Sequence, residues 1–126
     1  MRGYGKELII DLKGCDASLF TRSHIEEYFK QICHFIDMKR QDLHFWDYGE
    51  DLEAKAKAPD HLCGISAVQF IETSNITIHA LDRLGEVYIN IFSCKEFDEG
   101  FSAKFTADFF KADKYYIKII ERGEMR

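Results

Sequence analysis

The chain has 126 residues, 46% of them apolar and 14% aromatic, with one proline and a net charge of −5. That is enough chain for one hydrophobic core and too apolar for disorder, and its interspersed charges form no basic stripe for nucleic acid. No run approaches the roughly 18 continuous apolar residues that cross a bilayer, and residues 1–7 lack the apolar stretch of a signal peptide, so the expected location is cytoplasmic.

Taken in chain order, residues 7–12 read as a first strand, stopped by Lys13-Gly14-Cys15-Asp16. Residues 23–36 carry apolar side chains at 25, 28, 29, 32, 33 and 36, a helical stripe, with Ser23 and Glu26 spaced as a capping box. Cys33, inside this stripe, is expected to be a small buried hydrophobe. Residues 43–48 form a second strand, in which Trp46 is expected to pack. Residues 49–60 are a charged, solvated connection with room for one helical turn. Three strands follow closely, at 65–72, 76–81 and 87–93. A second helix spans 101–110, its Phe101, Phe105 and Phe109 spaced as a core stripe, and a last strand covers 115–120.

The order is therefore β-α-β-β-β-β-α-β. Strands this close pair as antiparallel hairpins, because a parallel crossover needs a dozen or more residues. An α+β fold is expected over residues 1–126 as one domain: a two-layer α/β sandwich, with two helices on one face of an antiparallel sheet. The other sheet face then needs water or a partner.

Within this frame a turn near Thr73 sets Ser66 across from His79, and a turn at 82–85 sets Ser74 roughly across from Cys94. Five residues separate Ser74 from His79, roughly 17 Å at strand rise. The two pairs are thus half-sites: a strong bulge would close the gap, and a two-fold dimer would close it more simply, laying one subunit's Ser66 and His79 against the other's Ser74 and Cys94, which is the arrangement preferred. The residue types suit acyl and proton transfer: an attacking hydroxyl, an imidazole that titrates near neutrality, and a thiol. Cys15, Cys33, Cys63 and Cys94 form no C-x-x-C, and the five histidines form no H-E-x-x-H, so neither disulfides nor a metal is expected.

Jointly these residues resemble the small prokaryotic S-adenosylmethionine decarboxylases. That family writes Glu-Ser-His-Ile-x-Ile-His-Thr and then Tyr-x-x-x-Asp-hydrophobic-Phe-Thr/Ser-Cys; Ser74, Ile76, Ile78, His79, Phe92, Ser93 and Cys94 match. Gly64-Ile65-Ser66-Ala67-Val68 is similar to its Gly-Val-Ser-Gly-Val, and residues 7–16 are similar to its His-Leu-Ile-Leu-Asp-Leu-Tyr-Gly-Cys-Asp. The resemblance implies a proenzyme that cuts itself between Thr73 and Ser74 into chains 1–73 and 74–126. It also implies a pyruvoyl cofactor made from Ser74, a small-molecule substrate held as a Schiff base, and a homodimer. Catalytic roles fall on Ser74, His79, Cys94 and Ser66.

Three departures from the family pattern bear on the site. Thr73 replaces the glutamate before the cut, Asn75 replaces the histidine after it, and Ala80-Leu81-Asp82-Arg83 replaces Thr-Trp-Pro-Glu, a loop that helps bind the nucleoside substrate. Asp82 is the nearest carboxylate left for substrate binding. Three readings follow: a decarboxylase of S-adenosylmethionine serving spermidine synthesis, a pyruvoyl decarboxylase of another amino acid such as ornithine or arginine, or an uncleaved homologue acting as a binding protein.

Overall fold

The fold is taken from a computed structural model, which describes residues 3–123. Strand β1 (Gly5–Lys13) leads through a short 3-10 turn (Ala17–Leu19) into helix α1 (Arg22–Phe35), then β2 (Arg40–Trp46) and the short helix α2 (Leu52–Lys57). β3 (Gly64–Ile71), β4 (Ser74–Leu81) and β5 (Glu86–Ser93) follow as consecutive hairpins, and α3 (Glu99–Phe109) leads to β6 (Lys114–Arg122). The six strands form one sheet in the order β2-β3-β4-β5-β1-β6, antiparallel at every junction. The sandwich expected from the element order is thus present, with α2 as a third, peripheral helix.

Alternation builds the core. Leu8, Ile10 and Leu12 of β1, Ile76, Ile78 and Ala80 of β4, and Val87, Ile89 and Ile91 of β5 all point to the helix-covered face and are buried. From above, α1 contributes Ile25, Tyr28, Phe29, Ile32 and Cys33 to the same cluster. The Tyr28 hydroxyl lies 2.8 Å from Thr106 Oγ1 of α3, so the phenol enters the interior with its polar atom satisfied.

Several local expectations need correction. α1 is capped by Thr21, not by Ser23 and Glu26: Thr21 is extended (φ −127°, ψ 156°) and its Oγ1 accepts from the His24 N–H at 3.1 Å. Helical backbone therefore starts at Arg22, which puts Ser23 already in the first turn, and Glu26 lies 3.8 Å from Arg40. β2 starts three residues earlier than expected, at Arg40, because a register irregularity between Arg40 and Leu43 lets the chain pair with β3 before the aromatic run.

Of the Phe101, Phe105 and Phe109 stripe, Phe105 and Phe109 pack against the core from its flank while Phe101 is exposed, and the stripe does not face the sheet. Small residues do so: Ser102, Ala103, Thr106 and Ala107 are the buried positions of α3. The phenylalanines instead line the seam with α1, where Phe35 meets Phe101 and Phe105 at 5.6 and 5.4 Å and Tyr28 meets Phe109 at 5.6 Å. Trp46 is not buried either, and among the described residues its ring meets only one other ring, that of Tyr48, edge-on at 5.2 Å. It stands on the open face of the edge strand β2 and is 61% exposed.

The charged segment after β2 carries α2, which buries no residue and is held from outside. Arg83, in the β4–β5 turn, donates to the Lys55 and Ala58 carbonyl oxygens, and Lys55 Nζ lies 2.9 Å from Asp82.

Candidate active site

The turn between β3 and β4 consists of Glu72 and Thr73 alone. Thr73 has φ 58°, a left-handed conformation that suits glycine or asparagine and that a β-branched residue enters only at a cost of about 1–3 kcal/mol. Ser74 follows as the first residue of β4, on the core face and 7% exposed.

The β4–β5 ladder corrects the pairing expected across this end of the sheet. Asn75 stands opposite Phe92 and Leu81 opposite Glu86, so the same register puts Ser74 against Ser93 and Cys94 against Thr73. The turn is centred half a residue before the position that Ser74 and Cys94 would need. The three side chains still converge: Thr73 Oγ1 lies 3.6 Å from Cys94 Sγ, and the Thr73, Tyr4 and Ser74 hydroxyls hold the Cys94 thiol below the usual range. A cleft of about 330 Å³ opens here, with Asp37, Lys39, Glu72 and Lys95 as its charged lining.

Ser66 and His79 face each other across β3 and β4, as the turn count requires. Ser66 Oγ lies 2.8 Å from His79 Nδ1, on the open face of the sheet. A second cleft of about 390 Å³ surrounds this pair, lined by Trp46, His61 and Tyr88 among others. Strand β4 keeps unbroken register with both neighbours from Asn75 to Leu81, so no bulge brings His79 back towards Ser74.

Asp82 joins neither group. It pairs with Lys55 and lines a third, smaller cleft of about 130 Å³ beside Asp47 and Arg22. His24, for which the sequence offers no partner, bonds through Nε2 to the Phe109 carbonyl oxygen at 2.9 Å.

The residue-matching family frame covers this whole arrangement. The family model for S-adenosylmethionine decarboxylase matches residues 6–123. The chain belongs to the S-adenosylmethionine decarboxylase family. Members are carboxy-lyases, and this decarboxylase-family chain is 27% identical over 124 residues to the S-adenosylmethionine decarboxylase proenzyme of Bacillus velezensis, covering 98% of this chain and 89% of that one. The crystal structure of the adenosylmethionine decarboxylase from Aquifex aeolicus superposes with a TM-score of 0.76. It covers 98% of this chain and 93% of that one at 17% identity, a likeness of fold.

The sequence reading missed Tyr4 and Lys95 as neighbours of Cys94, and it missed Lys6. A signal for Lys6 was available: it has the same strand parity as Leu8, Ile10 and Leu12, which places a lysine on the core face. Nothing in the sequence marks Tyr4. Its ring stacks on Phe92 at 6.2 Å, a contact made only once β1 lies beside β5.

Proposed function

We propose that the chain is a self-cleaving decarboxylase of S-adenosylmethionine that cuts between Thr73 and Ser74 and converts Ser74 into a pyruvoyl group. The observation that carries this reading is the strained Thr73 directly before a buried serine, with the Thr73 hydroxyl 3.6 Å from the Cys94 thiol. In the first step Ser74 Oγ attacks the Thr73 carbonyl carbon, and the peptide C–N bond breaks as the ester forms. β-Elimination then releases the carboxylate of residue 73, and hydrolytic loss of ammonia leaves the ketone.

Ser74 fits that role, since its side chain is enclosed and lies against the cleft that a substrate must enter. Once formed, the ketone supplies an electrophile for a substrate amine and a sink for the electrons released with CO₂. Cys94 then returns a proton to carbon, and its lowered thiol pKa suits a group that must pass between its thiol and thiolate forms. The hydrogen bond between Ser66 and His79 Nδ1 orients His79 as the second proton carrier.

The two halves act together if two copies meet across the open sheet face, each bringing Ser66 and His79 to the partner's Cys94 and to the hairpin end where β4 begins, since the Ser74 side chain itself points to the opposite, core face. What supports this homodimer is the separation of the two clefts along an unbroken β4 and the exposure of Trp46 and Phe70 on that face. Among the described residues no helix is long and apolar enough to cross a membrane. All four cysteines are free, as suits the cytoplasm.

A second reading, another amino acid as substrate, is favoured by one observation. Asp82 and Arg83, which replace the family's nucleoside-binding rim, are both engaged in holding α2. Intact mass of purified protein tests the common step: two chains of 73 and 53 residues are expected, and a single uncut chain overturns both enzymatic readings. Release of labelled CO₂ from S-adenosylmethionine, and not from ornithine or arginine, then separates them.

A further inference from the structure

Among the described residues Lys6 is the only buried lysine, 4% exposed, and its ammonium is fully partnered. Nζ reaches Glu96 Oε1 at 2.6 Å, the Phe97 carbonyl oxygen at 2.7 Å and Glu99 Oε1 at 2.9 Å, and sits 4.5 Å over the Phe97 ring. All these partners lie within residues 96–99, the segment that follows Cys94 and leads into α3. Burying an ammonium is unfavourable by several kcal/mol unless it is paired in this way.

Gly5 acts on the other end of the same segment. A Cβ there would stand 2.3 Å from the Ser93 carbonyl oxygen and 2.8 Å from the Cys94 Cα. Only glycine lets β1 close against the backbone of Ser93 and Cys94, and Lys6 pairs with Ser93 in that ladder.

From these contacts we infer that Gly5 and Lys6 are positioning residues for Cys94: Gly5 seats its backbone, and Lys6 pins the segment beyond it through Glu96, Phe97 and Glu99. Together they keep the thiol beside Thr73 and Ser74. The inference rests on the role proposed for Cys94, but its geometry can be read without turnover.

The test is iodoacetamide labelling of Cys94 across a pH series, followed by peptide mass, in a full-length chain kept uncut by Ser74→Ala, which retains the Thr73 and Tyr4 hydroxyls beside the thiol. Cys33 and Cys63 are buried, and burial pushes the Cys15 thiol up to about 11, so Cys94 is the thiol labelled near neutrality. The groups facing it in that chain are the Tyr4 and Thr73 hydroxyls, with Asp37, Lys39, Glu72 and Lys95 around the cleft. In Lys6→Met and Gly5→Ala, labelling at pH 7 relative to its high-pH plateau should fall by about threefold or more, as the thiol loses its hydroxyl partners. Lys6→Arg, which keeps the charge, should recover part of the loss. In cleaved protein the same two variants should lose kcat more than they raise KM, and more turnovers should end in transamination of the cofactor.

A folded Lys6→Met protein with the labelling profile of the Ser74→Ala parent overturns the inference. Should Lys6→Met not fold, Glu96→Gln relaxes the same pin at a partner whose side chain is 62% exposed. A labelling shift there supports the inference, and the parent profile overturns it. Failure of the catalytic reading looks different: every variant that keeps Ser74 stays uncut while the labelling differences persist.

Discussion

Replacing Thr73 by asparagine tests the link between turn geometry and self-cleavage. At φ 58° the threonine's branched Cβ crowds its own backbone, whereas asparagine enters this region readily. Taking the lower end of the range for such a conformation, relief amounts to about 1 kcal/mol. The stability arm uses a Ser74→Ala background, which leaves the chain uncut and unfolding well defined. There Thr73→Asn should raise Tm by about 4 °C for a chain of this size. With Ser74 present, the same relief should slow cleavage, followed by intact mass after synthesis, by roughly fivefold if the strain is released as the Thr73 carbonyl becomes tetrahedral. Thr73→Val removes the hydroxyl but keeps the branch, so it should show no gain in Tm. Equal melting temperatures and equal cleavage rates for threonine and asparagine would refute the argument from strain.

Cys94→Ala should still yield two chains, yet turn over at least about a hundredfold more slowly and inactivate itself by transamination, seen as a mass change on the chain beginning at residue 74. The lowered thiol pKa of Cys94 means that its thiolate, and hence alkylation, appears at lower pH than for a free cysteine, while Cys15 reacts only under strongly alkaline conditions. Mixing His79→Ala and Cys94→Ala subunits should restore about a quarter of wild-type activity if each site is shared between copies. Activity no higher than the sum of the separate variants would count against composite sites.

Much of this architecture was legible because it depends on period and spacing. Two-residue alternation identifies the faces of β3, β4 and β5, and turn centres identify which residues meet, as with Ser66 and His79. The Ser74–Cys94 pairing failed by one residue because a count along the chain cannot fix where a four-residue turn is centred. The phenylalanine stripe was legible only in part, for a different reason. Helical spacing shows that Phe101, Phe105 and Phe109 share a face, but not whether that face meets a sheet or another helix. Least visible were contacts set by chain neighbours distant in sequence: Lys6 with residues 96–99, and Arg83 with the carbonyl oxygens of α2.

The strand order has a consequence for a chain divided after residue 73. The first piece would contribute β1, β2 and β3, and the second β4, β5 and β6, yet β1 lies between β5 and β6. Each fragment is thus threaded through the other's hydrogen-bonded framework, with α1 from one braced against α3 from the other. Severing the backbone frees only two ends at a surface hairpin. Parting the halves would demand dismantling the sheet itself, so a cut at that hairpin would leave them joined without a covalent tether.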